Sequence, residues 1–435
     1  MKSTECGPCQ CAPSPPKPAA MTDDAPVAPP TGPAGAARPA VPDGAARAAH
    51  DARVAQSQAR SLDVEGNRLT LITDGPERLE VLIALIDGAR HSLKLLYYIF
   101  LPDASGDRVR AALLRAVERG VEVGLLVDGF GSSKTPHDYF AALHDSGANF
   151  CRFLPSYGRR YLIRNHQKLA LADDARVLIG GFNIADDYFG LSDDNAWRDI
   201  GLLVEGPAAA RLAPYYDALL GWALKKGARL RELRRIIHQY SENKGALQWQ
   251  FGGPMRRLSP WASSTCRDLA QSGDVAMIAA YFAPTYGMLK RIARAGGRGR
   301  ARIITAAKSD NIATIAAARF TYRKLIKRGV EIFEYRKSKL HSKLVVFDDV
   351  VHIGSSNFDI RSLYLNLEMM LRVADPDFAT MMRLYFEGEL GDSEPITPAL
   401  HKSRATLPNR LRWAASFFLV TSADYSITRR LNLGV

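Results

Sequence analysis

His166-Gln167-Lys168-Leu169-Ala170-Leu171-Ala172-Asp173 and His341-Ser342-Lys343-Leu344-Val345-Val346-Phe347-Asp348 are two copies of one pattern: His, any residue, Lys, four residues, Asp. Each copy runs on into a short glycine turn that ends in Asn, Gly180-Gly181-Phe182-Asn183 and Gly354-Ser355-Ser356-Asn357. The histidines are offset by 341 − 166 = 175 positions and the asparagines by 357 − 183 = 174. A single His-x-Lys pair arises often by chance. Two pairs with the same downstream turn mark an internal duplication.

The spacing says what the pattern is for. In an extended strand residues i and i+2 share a face, so His166 and Lys168 are expected to point the same way, as are His341 and Lys343. Apolar segments, Val177–Ile179 and Val350–Ile353, lie between motif and turn. Each copy therefore reads as a hairpin that presents imidazole, ammonium and carboxamide to one point. Those donors suit a phosphate: Lys168 and Lys343 as point charges, Asn183 and Asn357 as neutral donors, His166 and His341 as nucleophile or acid. Asp173 and Asp348 complete the motif. They sit five residues past their lysines, at the opposite strand parity, and read as holding the motif rather than reacting.

Working outward, Leu79, Leu82, Ile83, Ile86 and Ala89 recur with the helical period. Leu93–Phe100 reads as a strand, Val109–Val117 as a helix and Val121–Val127 as a buried strand. Asn67–Thr73 reads as an edge strand before a turn at Asp74-Gly75. The second half repeats the order: Val275–Tyr281 strand, Met288–Arg294 helix, Arg302–Thr305 strand, Ile315–Lys327 helix, Val330–Tyr335 strand. The order predicts an α/β fold of two similar halves, each a mainly parallel β-sheet flanked by helices. With one motif per half, the active site must form at the interface between them.

The chain has 435 residues and 47% apolar content, enough for two ordinary domains. The expected division is 1–62, a disordered Ala/Pro-rich segment; 63–245, the first domain; 246–400, the second; and 401–435, a basic and apolar C-terminal segment. The first sixty residues cannot bury enough surface to offset their ordering entropy. No stretch approaches the roughly 20 apolar residues of a membrane span. The net charge of +13 attracts a polyanion, either nucleic acid or an anionic membrane. Cys6, Cys9 and Cys11 crowd the amino terminus without a nearby His or Cys pair to complete a metal set. No disulfide framework is indicated. Two histidines and two lysines supply nucleophile, proton donor and cations, so neither metal nor cofactor is expected. Two stretches suggest membrane contact. Lys225, Lys226, Arg229, Arg231, Arg234 and Arg235 accompany a helical stripe of Leu230, Leu233, Ile237 and Tyr240. Leu411, Trp413, Phe417, Phe418, Leu419 and Val420 form an apolar run suited to an interface.

The duplicated motif, with Gly180–Tyr188, Trp197-Arg198-Asp199 and Tyr281-Phe282-Ala283-Pro284, resembles the phospholipase D superfamily. Within it the chain is similar to the bacterial cardiolipin synthases, of the type without transmembrane helices. The resemblance covers about residues 65–400. It implies a phosphatidyltransferase that moves a phosphatidyl group, from phosphatidylglycerol as donor, to the glycerol hydroxyl of a second lipid through a phosphohistidine, releasing glycerol. The alternatives are a phospholipase D-type hydrolase that yields phosphatidic acid, and a nuclease of the superfamily. The implied partners are anionic phospholipids at the cytoplasmic membrane of a bacterium, with peripheral contact and no nucleic acid. His166 is assigned as nucleophile and His341 as acid and then base; the near-symmetry of the halves leaves the reverse open. The resemblance also implies that each imidazole is oriented by a carboxylate of the opposite half: Glu368 for His166, and Asp199 for His341. The competing assignment is a local ion pair of Asp199 with Arg198 or Arg176.

Overall fold

The computed structural model describes residues 9–10, 60–153, 163–191, 195–255 and 257–423. The first sheet is built from β1 (Cys9–Gln10), β2 (Ser61–Val64), β3 (Asn67–Ile72), β4 (Ser92–Tyr97), β5 (Glu122–Asp128), β6 (Asn149–Phe153), β7 (Leu169–Ala172), β8 (Arg176–Gly180) and, after the short β9 (Trp197–Arg198), β10 (Gly201–Glu205). Its order is β1-β6-β5-β4-β7-β8-β10-β3-β2. The second sheet uses β11 (Leu247–Gly252), β12 (Asp274–Ala279), β14 (Arg300–Ala306), β15 (Val330–Tyr335), β17 (Lys343–Phe347), β18 (Val350–Gly354), β20 (Glu368–Ala374) and β21 (Ser393–Pro395). Its order is β11-β20-β18-β17-β12-β14-β15-β21. Short strands β13 (Phe282–Ala283), β16 (Lys339–Leu340) and β19 (Phe358–Asp359) lie outside both sheets.

The two halves repeat, as the sequence predicts, but the expectation of mainly parallel sheets is corrected. Both sheets are mixed. Within them, parallel pairing is confined to β4-β5-β6 and to β12-β14-β15, where helices make the crossovers. The motif hairpins β7-β8 and β17-β18 reverse the chain, so the strands around them pair antiparallel. β3 is not an edge strand, because β2 covers its outer side.

Alternation along the strands divides the core. Leu169, Leu171, Val177 and Ile179 of the first sheet share one apolar cluster with Leu344, Val346, Val351 and Ile353 of the second. The opposite faces carry Ala170 and Leu178 against helices Gly75–Asp87 and Ala104–Glu118, and Val345 and Phe347 against helices Pro260–Gln271 and Tyr286–Arg298. The sheets thus stack through a common core.

Most of the amino-terminal segment expected to be disordered lies outside the described residues. Within it, Cys9–Gln10 pair with Phe153 and Arg152, and Ser61-Leu62 already belong to β2. Cys151 is disulfide-bonded, a cross-link that the expectation of no disulfide framework did not include. The basic helix Leu230–Tyr240 turns its stripe inward. Leu233 and Ile237 are buried in the shared core, so that stripe is not a membrane face.

The motif aspartates anchor the hairpins. Asp173 and Asp348 hold left-handed backbone angles, φ 52° and 46°, which Asp tolerates. The Asp173 carboxylate accepts from the amides of Arg90, His91 and Ser92 at 2.7–3.2 Å. Asp348 accepts from Gly273 and Asp274 at 2.8–3.2 Å. Each carboxylate ties the end of a motif strand to the start of the sheet's central strand. Asp173→Ala and Asp348→Ala are expected to destabilise the fold by about 1–3 kcal/mol, read from denaturant unfolding. A change below about 0.5 kcal/mol would refute the anchoring role.

Candidate active site

The two halves clasp each other at the motif histidines. The His166 amide donates to the Leu367 carbonyl at 2.9 Å, and Leu367 donates back to Arg164 at 2.9 Å. The His341 and Ser342 amides both donate to the Arg198 carbonyl, at 2.8 and 3.1 Å. β9 and β16 pair in parallel across the same boundary. Leu367 and Arg198 each precede a carboxylate, so the clasp delivers Glu368 to His166 and Asp199 to His341. His166 Nδ1 lies 3.1 Å from Glu368, and His341 Nδ1 lies 2.6 Å from Asp199. Arg198 instead pairs with Glu389 at 2.5 Å, and Arg176 donates to the Gly88 carbonyl.

An ionised carboxylate only accepts. Each Nδ1 therefore carries the hydrogen, and each Nε2 keeps a lone pair. Both histidines line one cavity of about 660 Å³, with Asn183 and Asn357. Burial, then the charge of Lys343, pushes the His341 imidazole down to about 3 against the pull of Asp199. Burial also lowers His166, against the pull of Glu368. Burial alone would raise Asp199, but His341 and Lys343 hold it below the usual carboxylate range.

Lys168 and Lys343 are buried behind the histidines. Each Nζ donates to the carbonyl of its own motif histidine, Lys168 at 2.6 Å. Burial pushes Lys168 down to about 7 and Lys343 to about 8, although Glu368 and Asp199 oppose the shift in both. The histidine precedes its hairpin strand in both halves, since β7 starts at Leu169 and β17 at Lys343. Asn183 Oδ1 accepts from the Ile99 amide at 3.1 Å, which fixes that carboxamide. Lys168, Lys343, Asp173 and Asp348 are not among the residues that line the cavity, so the expected convergence holds for the histidines and asparagines and not for the lysines.

Several residues of the site escaped the sequence reading. Asp128 is fully buried, accepts from Phe130, Gly131 and Asn165, and so fixes the segment that leads into His166. Burial raises its carboxyl to about 6. A carboxylate ending the buried strand Val121–Val127 was its signal. Ser355 donates to Glu368 at 2.6 Å. The duplicate position is Gly181, where an added Cβ would stand 2.7 Å from the Asp199 carboxylate. Arg78 supports the Asp199 carbonyl at 2.5 Å. Arg164 and Arg361 add positive charge to the cavity wall. Among the described residues the histidines also differ in their ring contacts: Tyr188, Trp197 and Tyr281 surround His341, whereas Tyr98 meets His166.

The carboxylates can be tested with isosteric changes. Asp199→Asn and Glu368→Gln keep the shape but remove the charge that sets the tautomer. Phosphodiester turnover is expected to fall by up to about 10⁴-fold in each, with unfolding midpoints close to the parent's. Near-parental turnover in either variant would overturn the orienting role.

The family model described as "Cardiolipin synthase, PLD-like domain" matches residues 82–213 and 266–390. Cardiolipin synthase A of Pseudomonas aeruginosa (strain LESB58) is 29% identical over 358 residues, 79% of this chain and 71% of that one. Cardiolipin synthase B of Salmonella typhi is 29% identical over 368 residues, 80% of this chain and 85% of that one. Among solved structures, phosphatidylserine synthase of Haemophilus influenzae Rd KW20 superposes with a TM-score of 0.64 at 14% identity, over 88% of this chain and 99% of that one. Polyphosphate kinase of Porphyromonas gingivalis shares the fold with a TM-score of 0.51 at 15% identity, over 77% of this chain and 49% of that one. The two matched segments fall on the two halves that meet at the histidines, and the chain belongs to the phospholipase D-like family of the cardiolipin synthases.

Proposed function

We propose that the protein is a phosphatidyltransferase of the cardiolipin synthase type, with phosphatidylglycerol as donor and acceptor. The observation that carries the reading is the pair of imidazoles facing one cavity, each held at Nδ1 by a carboxylate of the opposite half. His166 Nε2 attacks phosphorus and forms a P–N bond. The bond from phosphorus to the departing glycerol oxygen breaks, and His341 protonates that oxygen. In the second step His341 takes the proton from the hydroxyl of the second lipid. That oxygen then displaces His166, and the phosphatidyl group is transferred. In the empty site His341 is neutral, because burial and Lys343 disfavour the imidazolium. The anionic phosphodiester offsets Lys343, so His341 gains its proton when substrate arrives. Lys168, Lys343, Asn183 and Asn357 serve the phosphate oxygens.

The same reading puts the protein peripherally on the bacterial cytoplasmic membrane. Among the described residues no helix is long and apolar enough to cross a membrane. The helix Leu407–Phe418 buries Trp413 and Phe417 but exposes Leu407, Leu411 and Phe418, a face suited to an anionic bilayer when the net charge is +13.

Product analysis tests the function. Purified protein on phosphatidylglycerol vesicles is expected to release one glycerol per cardiolipin formed. Phosphatidic acid as the main product would replace transfer by hydrolysis. His166→Ala and His341→Ala should each lose at least about 10²–10⁴-fold.

Titration gives an independent check. A lysine whose pKa is lowered keeps its charge below that pKa and loses it above. With Lys168 near 7 and Lys343 near 8, kcat/KM is expected to fall as pH rises through about 7–8, because it reports the free enzyme. A profile flat to pH 10 would contradict the lysines' role in holding phosphate.

A further inference from the structure

A second cavity adjoins the site, and its chemistry is the opposite. It holds about 530 Å³ and is lined chiefly by Tyr286, Phe320, Ile360, Tyr364, Phe417 and Phe418, with no charged residue in its wall among the described residues. That volume falls within the range of about 300–1,000 Å³ found for small-molecule pockets. Ile360 lines both this cavity and the histidine cavity, and it is itself 3% exposed. The adjacent residues Val420 and Thr421 divide in the same way: Val420 faces the histidine cavity and Thr421 the apolar one. The two cavities therefore share a wall. At the rim Tyr286 and Phe418 stand 58% and 63% exposed.

We propose that this pocket receives one acyl chain of the phospholipid whose phosphodiester lies at His166 and His341. The proposal rests on the phosphatidyltransferase reading and extends it to substrate selection. A phospholipid carries its phosphate and its acyl carbons only a glycerol backbone apart. A ligand with its phosphate in the charged cavity needs an apolar space next to it, and the pocket beside Ile360 is such a space. The walls come from helices Tyr286–Arg298, Ile312–Ile326, Ile360–Tyr364 and Leu407–Phe418. The C-terminal helix thereby becomes part of the substrate site. Binding a chain there draws it out of the bilayer, so the pocket selects for chain length and shape.

The test uses water-soluble diesters that form no bilayer: glycerophosphoglycerol without chains, then phosphatidylglycerols with chains of increasing length, all kept monomeric. For the parent protein kcat/KM is expected to rise up to about fourfold per methylene buried and then level off. Gly287→Leu fills the pocket from its wall. An added Cβ at Gly287 meets nothing nearer than 3.5 Å, so the fold should accept the side chain. In this variant the chain-free substrate is expected to react at the parental rate, while the longer chains lose about tenfold. Ala414→Leu, from the facing helix, should act alike and covers a failure of the first variant to fold. Equal loss for all substrates, or an unchanged dependence on chain length, would overturn the pocket. Parental turnover of every substrate without any length dependence would also overturn it, and would leave the phosphatidyltransferase reading standing. Absence of turnover by the parent protein on all of them would remove both.

Discussion

Everything at the site depends on a reciprocal backbone clasp. The amides of His166 and His341 donate to the carbonyls of Leu367 and Arg198, the residues immediately before the two orienting carboxylates. These backbone bonds, with those from Leu367 to Arg164 and from Ser342 to Arg198, fix the register of one half against the other. The register decides which side chain lands beside which ring. A slip by one residue would face the carboxylates the other way. The shared apolar core behind the clasp keeps that register, since both sheets give alternate residues to one cluster.

The clasp also concentrates charge where charge is costly. Two lysines and two carboxylates are buried within one region, and burial is the first cause of the lysine shifts. An isolated buried charge would neutralise. Here cations and anions oppose each other across the boundary, and the lysines keep pKa values close to neutrality. On the proposed function, a phosphate would meet lysines whose desolvation is already complete. This is preorganisation in its electrostatic form. The cost of desolvation falls on folding rather than on the reaction.

Much of this was legible in the sequence. The repeated His-x-Lys and its glycine turn locate both hairpins, because periodicity and turn chemistry are local. The strand directions were not legible. Alternating and continuous apolar runs such as Leu93–Phe100 look alike in parallel and antiparallel sheets once both faces are buried. Nor could the sequence decide the role of the basic helix. Leu233 and Ile237 have the same spacing whether they meet lipid or the shared core, and only the tertiary fold decides between them. Asp128, Arg78 and Ser355 act through contacts 13 or more residues away, and single-sequence patterns carry no such information.

The unequal surroundings of the two histidines have a further consequence. If two identical subunits met about a rotation axis, each supplying one motif, every contact of the first imidazole would be copied at the second. Any substitution that suited one ring would be imposed on both. A single chain carrying both motifs escapes that restriction. Its copies have diverged: glycine beside Asp199 where serine braces Glu368 and, among the described residues, three aromatic rings around His341 where one meets His166. With both motifs in one chain the two imidazoles are separately adjustable, and a division of labour between them can be tuned one position at a time.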